Sequence, residues 1–291
     1  MEERMGFGRV NLNQPPPRLY NGPKETDDTR HQEHGSISRN SKTKECDNNL
    51  GVIKDNKSKR KRQRRRESKV KEIKLKLLGN NVDGVLNKLE SLESIIKTEN
   101  PGAIFLQETK VGRTGRIRIP SNKSYSWYEL ARTESAEKGA RGGGLAIGVL
   151  NDLEPSWINE GDNEAEALTI EIWIGGFPIR LICGYGPQEG DKIERKLKFW
   201  EYMNSEVQKA KINGAKVFIQ MDGNMWAGAE MVEGDPKPLN RNGKMLQDFL
   251  QGNPHLNVTN ALPICEGRST RVRQMKNNTQ ESILDFFFYC L

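Results

Sequence analysis

The chain has 291 residues, with 46 Lys and Arg against 39 Asp and Glu, four cysteines and three histidines. Its longest unbroken apolar run, residues 286–291, is far short of the roughly 18 residues that cross a membrane, and its first residues, MEERMGFGRV, hold no apolar leader. Cys46, Cys183, Cys265 and Cys290 show no CxxC spacing and no histidine cluster, which excludes a zinc ribbon and a disulfide scaffold and points to a reducing compartment.

Charge is uneven along the chain. Residues 1–53 balance at 8 basic and 8 acidic side chains, 54–76 hold 13 basic and 3 acidic, and 77–291 hold 25 basic and 28 acidic. The net charge of +7 therefore comes from one block, SKRKRQRRRESKVK and its flanks. Clustered Lys and Arg displace counterions from phosphates, so the block is a candidate for nucleic-acid contact or nuclear import. A solvated charged tail is the alternative. Only 13 of the first 72 residues are apolar, too few for burial to offset the entropy of folding. Residues 1–72 are expected to be a disordered, basic N-terminal region, and 73–291 a single domain.

From residue 73 the texture is α/β. IKLKLLG (73–79) alternates as a strand does. Leu86, Leu89, Leu92, Ile95 and Ile96 then recur near helical spacing, and Asn100-Pro101-Gly102 ends that helix. AIFLQ (103–107) has the length and flanks of a buried strand, which completes a β-α-β unit with parallel strands and a right-handed crossover. Gly142-Gly143-Gly144 matches no phosphate-loop pattern and predicts a turn into the strand LAIGV (145–149). EALTIEIWI (166–174) and PIRLICGY (178–185) predict two more strands joined by a Gly175-Gly176 turn. Ile193, Leu197, Trp200, Met203 and Val207 mark a helix, and KVFIQM (216–221) the strand after it. NGKMLQDFL (242–250) predicts a helix and ESILDFFFYC (281–290) a final strand. Arg268, Arg271 and Arg273 fall in a predicted loop, either touching nucleic-acid backbone or solvated.

The polar residues at strand ends carry the chemistry. Asn80-Asn81 follow the first strand, Gln107-Glu108 the second, and Asp222-Gly223-Asn224 the strand at 216–221. Ligands of open α/β sheets bind beyond the carboxyl ends of the strands, and the β-α-β unit puts Asn81 and Glu108 on one edge. One carboxylate with amide neighbours is a hard-oxygen setting that suits Mg²⁺. Asp222 could serve as a base on water, and Asn224 could donate to a phosphate oxygen. Singly, each residue is also what a turn or cap uses.

NNVDG (80–84), LQETK (106–110), GYGPQ (184–188), DGNMW (222–226) and SILDF (282–286) stand in an order and at distances that resemble the endonuclease/exonuclease/phosphatase superfamily. With NRNGKMLQDFL (240–250), LNVTN and GRSTR, the chain is most similar to the apurinic-endonuclease-like nuclease domain of LINE-type (non-LTR) retrotransposons. The resemblance spans about 73–291. It implies a DNase-I-like fold: a two-sheet α/β sandwich with helices on the outer faces, where alternating elements alone would equally suit a doubly wound sheet. It implies metal-assisted phosphodiester hydrolysis. Glu108 would bind Mg²⁺ (or Mn²⁺), with Asn81 contacting metal-linked water or phosphate. Tyr185 would bond the scissile phosphate, Asp222 would orient or deprotonate water, and Asn224 would support the pentacovalent phosphorus. Asp285 would be the carboxylate that pairs with a catalytic histidine. The implied partner is nucleic acid, DNA first, with no membrane and no obligate protein partner. The expected location is the nucleus or nucleocytoplasm.

Departures from the family pattern bear on activity. The partner histidine of the family lies in a Ser-Asp-His triplet one strand beyond SILDF, and this sequence contains no such triplet. His31 and His34 fall in the N-terminal region, and His255 precedes SILDF as a predicted loop histidine. Met221 and Gly223 replace the glycine and bulky residue of the family's GDFN, and no aromatic residue precedes Asn80-Asn81. A strand over 286–289 without its successor would have an open edge, a liability for association. The expectation is thus a fragment or decayed copy of a longer element, either a working endonuclease or an inactive module that still binds metal or nucleic acid. The superfamily's RNA deadenylases, inositol-phosphate phosphatases and sphingomyelinases mark a third option, the same chemistry on another substrate.

Overall fold

The computed structural model describes residues 7–11, 74–112, 117, 124–131, 143–161, 165–229, 231–232, 237–261, 271–274, 279–282 and 285–290. They form one compact unit, and residues 13–72, with the basic block, lie outside them. Strand β1 (Phe7–Asn11) falls inside the span whose composition predicts disorder, and it pairs antiparallel with β2 (Lys74–Asn81). Sheet pairing supplies an order that local composition does not encode.

A short 3₁₀ turn (Val85–Lys88) leads into helix α1 (Leu89–Glu99) and strand β3 (Ala103–Gln107). Asn100 stops the helix in the left-handed conformation, its N–H bonded to the Ile96 carbonyl. The expected parallel pairing follows, from Leu77 opposite Ala103 to Asn81 opposite Gln107. Leu86 is 54% exposed, a correction to its place on the apolar helix face. It sits in the 3₁₀ turn, whose three-residue period is out of phase with the α-helical stripe.

Strands β4 (Tyr125–Leu130) and β5 (Leu145–Leu150) complete the first sheet, in the order β1-β2-β3-β5-β4. The second sheet runs β10-β13-β9-β8-β7-β6, with β6 (Ser156–Glu160), β7 (Ala167–Ile174), β8 (Phe177–Tyr185), β9 (Lys216–Asp222), β10 (Asn257–Val258) and β13 (Asp285–Cys290). Helix α2 (Ile193–Ile212) makes the parallel crossover from β8 to β9, and α3 (Arg241–Gly252) follows β9. Among the described residues no helix is long and apolar enough to cross a membrane.

Side-chain alternation then builds three apolar layers. Leu75, Leu77, Ala103 and Phe105 of one sheet meet Ile179, Leu181, Cys183 and Phe218 of the other. Leu78, Ile104 and Leu106 face outward onto Leu92 and Ile96 of α1. Val217, Ile219 and Met221 face outward onto Phe199, Met203 and Val207 of α2 and Leu246 of α3. This is the two-sheet sandwich with outer helices. On α2 the buried stripe runs through Lys196 and Phe199, and Leu197 is 48% exposed, one position off the predicted face.

Three further expectations are corrected. The segment 281–290 is divided between β12 (Thr279–Ser282) and β13. Arg271 and Arg273 lie in strand β11 (Arg271–Gln274), paired with β12, and Arg268 is outside the described residues. The outer edge of β13 is not left open. Strand β10 pairs with Phe288 and Tyr289. The Asn260 side chain accepts from the Phe287 N–H and donates to the Asp285 carbonyl, each at 3.0 Å.

Candidate active site

The inner-face parity of the strands decides where the polar strand-end residues point. Asn81 continues Leu75 and Leu77, Tyr185 continues Leu181 and Cys183, and Asp222 continues Phe218 and Gln220, all facing the space between the sheets. Asp285 lies directly opposite Asp222 in the antiparallel β9/β13 ladder, so its side chain is on the same face. Four strands thus deliver polar groups to one end of the sandwich.

These groups touch. Asn81 donates its Nδ2 to Glu108 Oε1 at 2.9 Å and to Asp222 Oδ2 at 2.7 Å, joining residues 141 positions apart. The Tyr185 hydroxyl donates to the same Glu108 oxygen at 2.9 Å. Asn224 gives its backbone N–H to Asp222 Oδ1 at 3.1 Å and its side-chain Nδ2 to the Gly186 carbonyl at 2.8 Å. Glu108 and Asn224 both hold left-handed backbones, φ 50° and 45°. Such strain, of order 1–3 kcal/mol each, persists only where surrounding contacts fix it. Here Gly84 N–H holds the Glu108 carbonyl at 2.8 Å, and Asn242 holds that of Asn224 at 3.1 Å.

Burial pushes the Tyr185 phenol well above its ordinary 10.0, and the negative charge of Glu108 adds to this, while a hydrogen bond with Asn224 partly opposes it. Tyr185 is therefore a neutral hydrogen-bond donor at physiological pH. At the rim, Lys110 pairs with Asp83, which holds the Asp83 carboxyl below its usual value and raises Lys110.

His255 sits at the other end of the sandwich. It lies near Lys211, at the end of α2 that precedes β9, whereas Asp222 ends that strand. Partial burial and the Lys211 charge lower its pKa. Of the three histidines it alone is among the described residues, and the fold does not bring it to Asp285.

No protein-family profile matches the chain. A DNA-(apurinic or apyrimidinic site) endonuclease of Dictyostelium discoideum is 26% identical over 162 residues, which span 52% of this chain and 42% of that protein. The match therefore covers less than half of the relative. A 3' phosphatase, NExo, from Neisseria, solved bound to product DNA hairpin, shares the fold with a TM-score of 0.56 and 14% identity, over 74% of this chain and 86% of that one. An AP endonuclease from Archaeoglobus fulgidus aligns with a TM-score of 0.51 and 18% identity, over 74% and 86%. The two-sheet sandwich with outer helices is the DNase-I-like fold expected from the sequence, and these two solved structures share it. By their names, two of these similar proteins are endonucleases and the third is a 3' phosphatase.

The sandwich is held shut beneath the site by buried polar side chains. Gln107 donates to Gln220 across the sheets and to Cys183 Sγ at 3.2 Å, and all three are fully buried. The loops after β8 and β9 are tied by Asn242 of α3, which is 3% exposed and donates to the Pro187 carbonyl at 2.7 Å and the Asn224 carbonyl. Asn240 caps α3 by accepting from Gly243 N–H at 2.8 Å. An Asn before an apolar helix is a recognisable cap signal. Nothing local marks Asn242 or Gln220, whose partners are distant in sequence.

Among the described residues no group of three or more His, Cys, Asp or Glu side chains is placed to hold a metal ion, and the chemistry of the site rests on its individual oxygens. The grouped side chains offer carboxylate, amide and phenol oxygens, with no thiolate or imidazole among them, and such hard oxygens suit Mg²⁺ with retained waters. Asn81 turns its nitrogen, not its oxygen, toward the two carboxylates, and its Oδ1 accepts from the Asp83 N–H at 3.2 Å. Of the two expected metal ligands, Glu108 presents its carboxylate here and Asn81 its amide nitrogen.

Proposed function

We propose that this chain hydrolyses phosphodiester bonds of DNA, as an endonuclease of retrotransposon type. The observation that carries the reading is the Asn81 amide shared between Glu108 and Asp222, which gathers the superfamily's implied metal carboxylate and water-activating carboxylate at one point. Glu108 would hold a divalent cation, whose charge would offset that on the phosphoryl oxygens. Asp222, fixed on one oxygen by Asn224 N–H and on the other by Asn81, would orient water and accept its proton. Tyr185, kept protonated, would donate to a phosphate oxygen, and Asn224 would support the charge that builds on phosphorus. The retrotransposon origin rests on the sequence motifs, and a nuclear or nucleocytoplasmic location on the basic block at 54–76.

One observation favours a second reading, binding without turnover: His255 is at the opposite end of the sandwich from Asp285. Nicking of supercoiled plasmid by the full chain, with Mg²⁺ or EDTA, separates the two. Metal-dependent nicking that Glu108→Ala and Asp222→Ala each cut by at least about 10²-fold supports the endonuclease. Absence of nicking by folded protein supports the binding module.

A further inference from the structure

Trp226 is placed against the usual logic of burial. Its neighbours Met225 and Ala227 are 0% and 1% exposed, yet the indole between them is 37% exposed. The segment thus turns an alanine inward and its largest apolar side chain outward, the reverse of what burial alone would select. The ring is not on a loose loop either. Asn240 Oδ1 accepts from the Trp226 N–H at 3.1 Å, and the Asn240 N–H donates to the Trp226 carbonyl at 3.3 Å. Gly243 packs so close that a Cβ there would lie 2.1 Å from that carbonyl oxygen. The Lys237 ammonium stands 5.5 Å from the ring centroid, within cation–π range.

The position is two residues beyond Asn224, and the two are fixed by the same helix end. Asn242 holds the Asn224 carbonyl and Asn240 holds Trp226. A rigid, outward-facing aromatic ring with a cation beside it, next to a phosphate-handling site, is the equipment for stacking one nucleobase while charge meets the backbone. Paired bases are already stacked in the duplex and present no free π-face, so the partner is an unpaired base.

We infer that Trp226, with Lys237, is a stacking platform for an unpaired nucleobase beside the hydrolytic site. The inference rests on the proposed function for the nature of the ligand. It would confer a preference for single-stranded or flipped-out nucleotides next to the bond that is cut.

The test is equilibrium binding by the full chain of a fluorescein-labelled 12-nucleotide single strand and of the corresponding duplex, in EDTA. Salt of about 200 mM screens phosphate attraction by the basic block at 54–76, while stacking persists. Trp226→Ala is expected to weaken single-strand binding roughly tenfold and duplex binding less than twofold. Trp226→Phe, which keeps a π-face, should recover most of the loss. Equal loss on both ligands, no loss on the single strand, or failure of the unaltered chain to bind the single strand would each overturn the inference. An unchanged urea midpoint for Trp226→Ala shows that the fold is intact, and Trp226→Phe serves in its place if the midpoint moves. Plasmid nicking reports separately. A binding difference without nicking refutes the nuclease reading alone, and nicking without a binding difference refutes the stacking platform alone.

Discussion

Replacing Asn81 by alanine removes the one amide that lies between two carboxylates, and the consequence can be worked through from the bonds it makes. The bonds to Glu108 Oε1 and Asp222 Oδ2, at 2.9 and 2.7 Å, are charge-assisted, and such bonds are worth about 1.5–3 kcal/mol each. Asn81 and Glu108 are only half-buried, so the lower end of that range applies, and the pair sums to about 3 kcal/mol. With a urea m-value of about 2 kcal/mol/M, Asn81→Ala in EDTA should lower the unfolding midpoint by roughly 1–2 M. A cation on Glu108 offsets part of the repulsion that the substitution exposes, and binding to the folded state alone adds stability. Millimolar Mg²⁺ should therefore narrow the gap between variant and unaltered chain. Far-UV circular dichroism of the full chain, across urea in EDTA and in Mg²⁺, measures both effects. A shift below about 0.5 kcal/mol in EDTA would show that the amide does not hold the two carboxylates together. A gap that Mg²⁺ leaves untouched would remove the cation from this position.

Three more outcomes follow from other parts of the sandwich. A Cβ at Gly79 would lie 2.6 Å from Gln220 Cγ and 2.7 Å from Phe287 Cζ, so Gly79→Ala should cost about 1–3 kcal/mol and lower the melting temperature by several degrees; an unchanged melting curve would show that the sheets can part there freely. Asn242→Ala leaves the buried Pro187 carbonyl and the half-buried Asn224 carbonyl without their donor, so on plasmid it should lower kcat with little change in KM, and a change confined to KM would mean that Asn242 does not position Asn224. Tyr185 has a folded-state pKa raised by burial and Glu108, so the unfolded chain loses its phenolic proton first, near pH 10. Its contribution is full below that pH and is lost as pH rises further. Urea titrations at pH 9, 10 and 11 should therefore show a shallower alkaline decline for Tyr185→Phe, and parallel declines would contradict the assigned environment.

Much of the site's raw material was legible along the chain because its signals are local. A period-two or period-3.6 apolar pattern reports which segments become strands and helices, and the boundaries of AIFLQ and of the β7–β8 hairpin follow from it directly. Polar residues immediately after apolar strands mark the ligand-binding end of an α/β fold, which is why Asn81, Glu108 and Asp222 stood out one by one. Elements whose order comes from pairing left no such mark. Strand β1 draws its structure from β2, and the exposed edge strand β6 from β7. The edge of β13 is covered in part by the Asn260 side chain, which takes the place of a ladder partner.

The sequence by itself determined the alternation, the helix stop at Asn100 and the chemistry available at each strand end, because these depend on neighbours in the chain. The tertiary structure decided which of those groups meet. Inner-face parity and strand order set Asn81 between Glu108 and Asp222, paired Gln107 with Gln220 over 113 residues, placed Asp285 opposite Asp222 and carried His255 to the far end. Contacts between distant residues depend on the register and packing of whole sheets, and a one-residue slip in register would turn every one of these side chains to the other face.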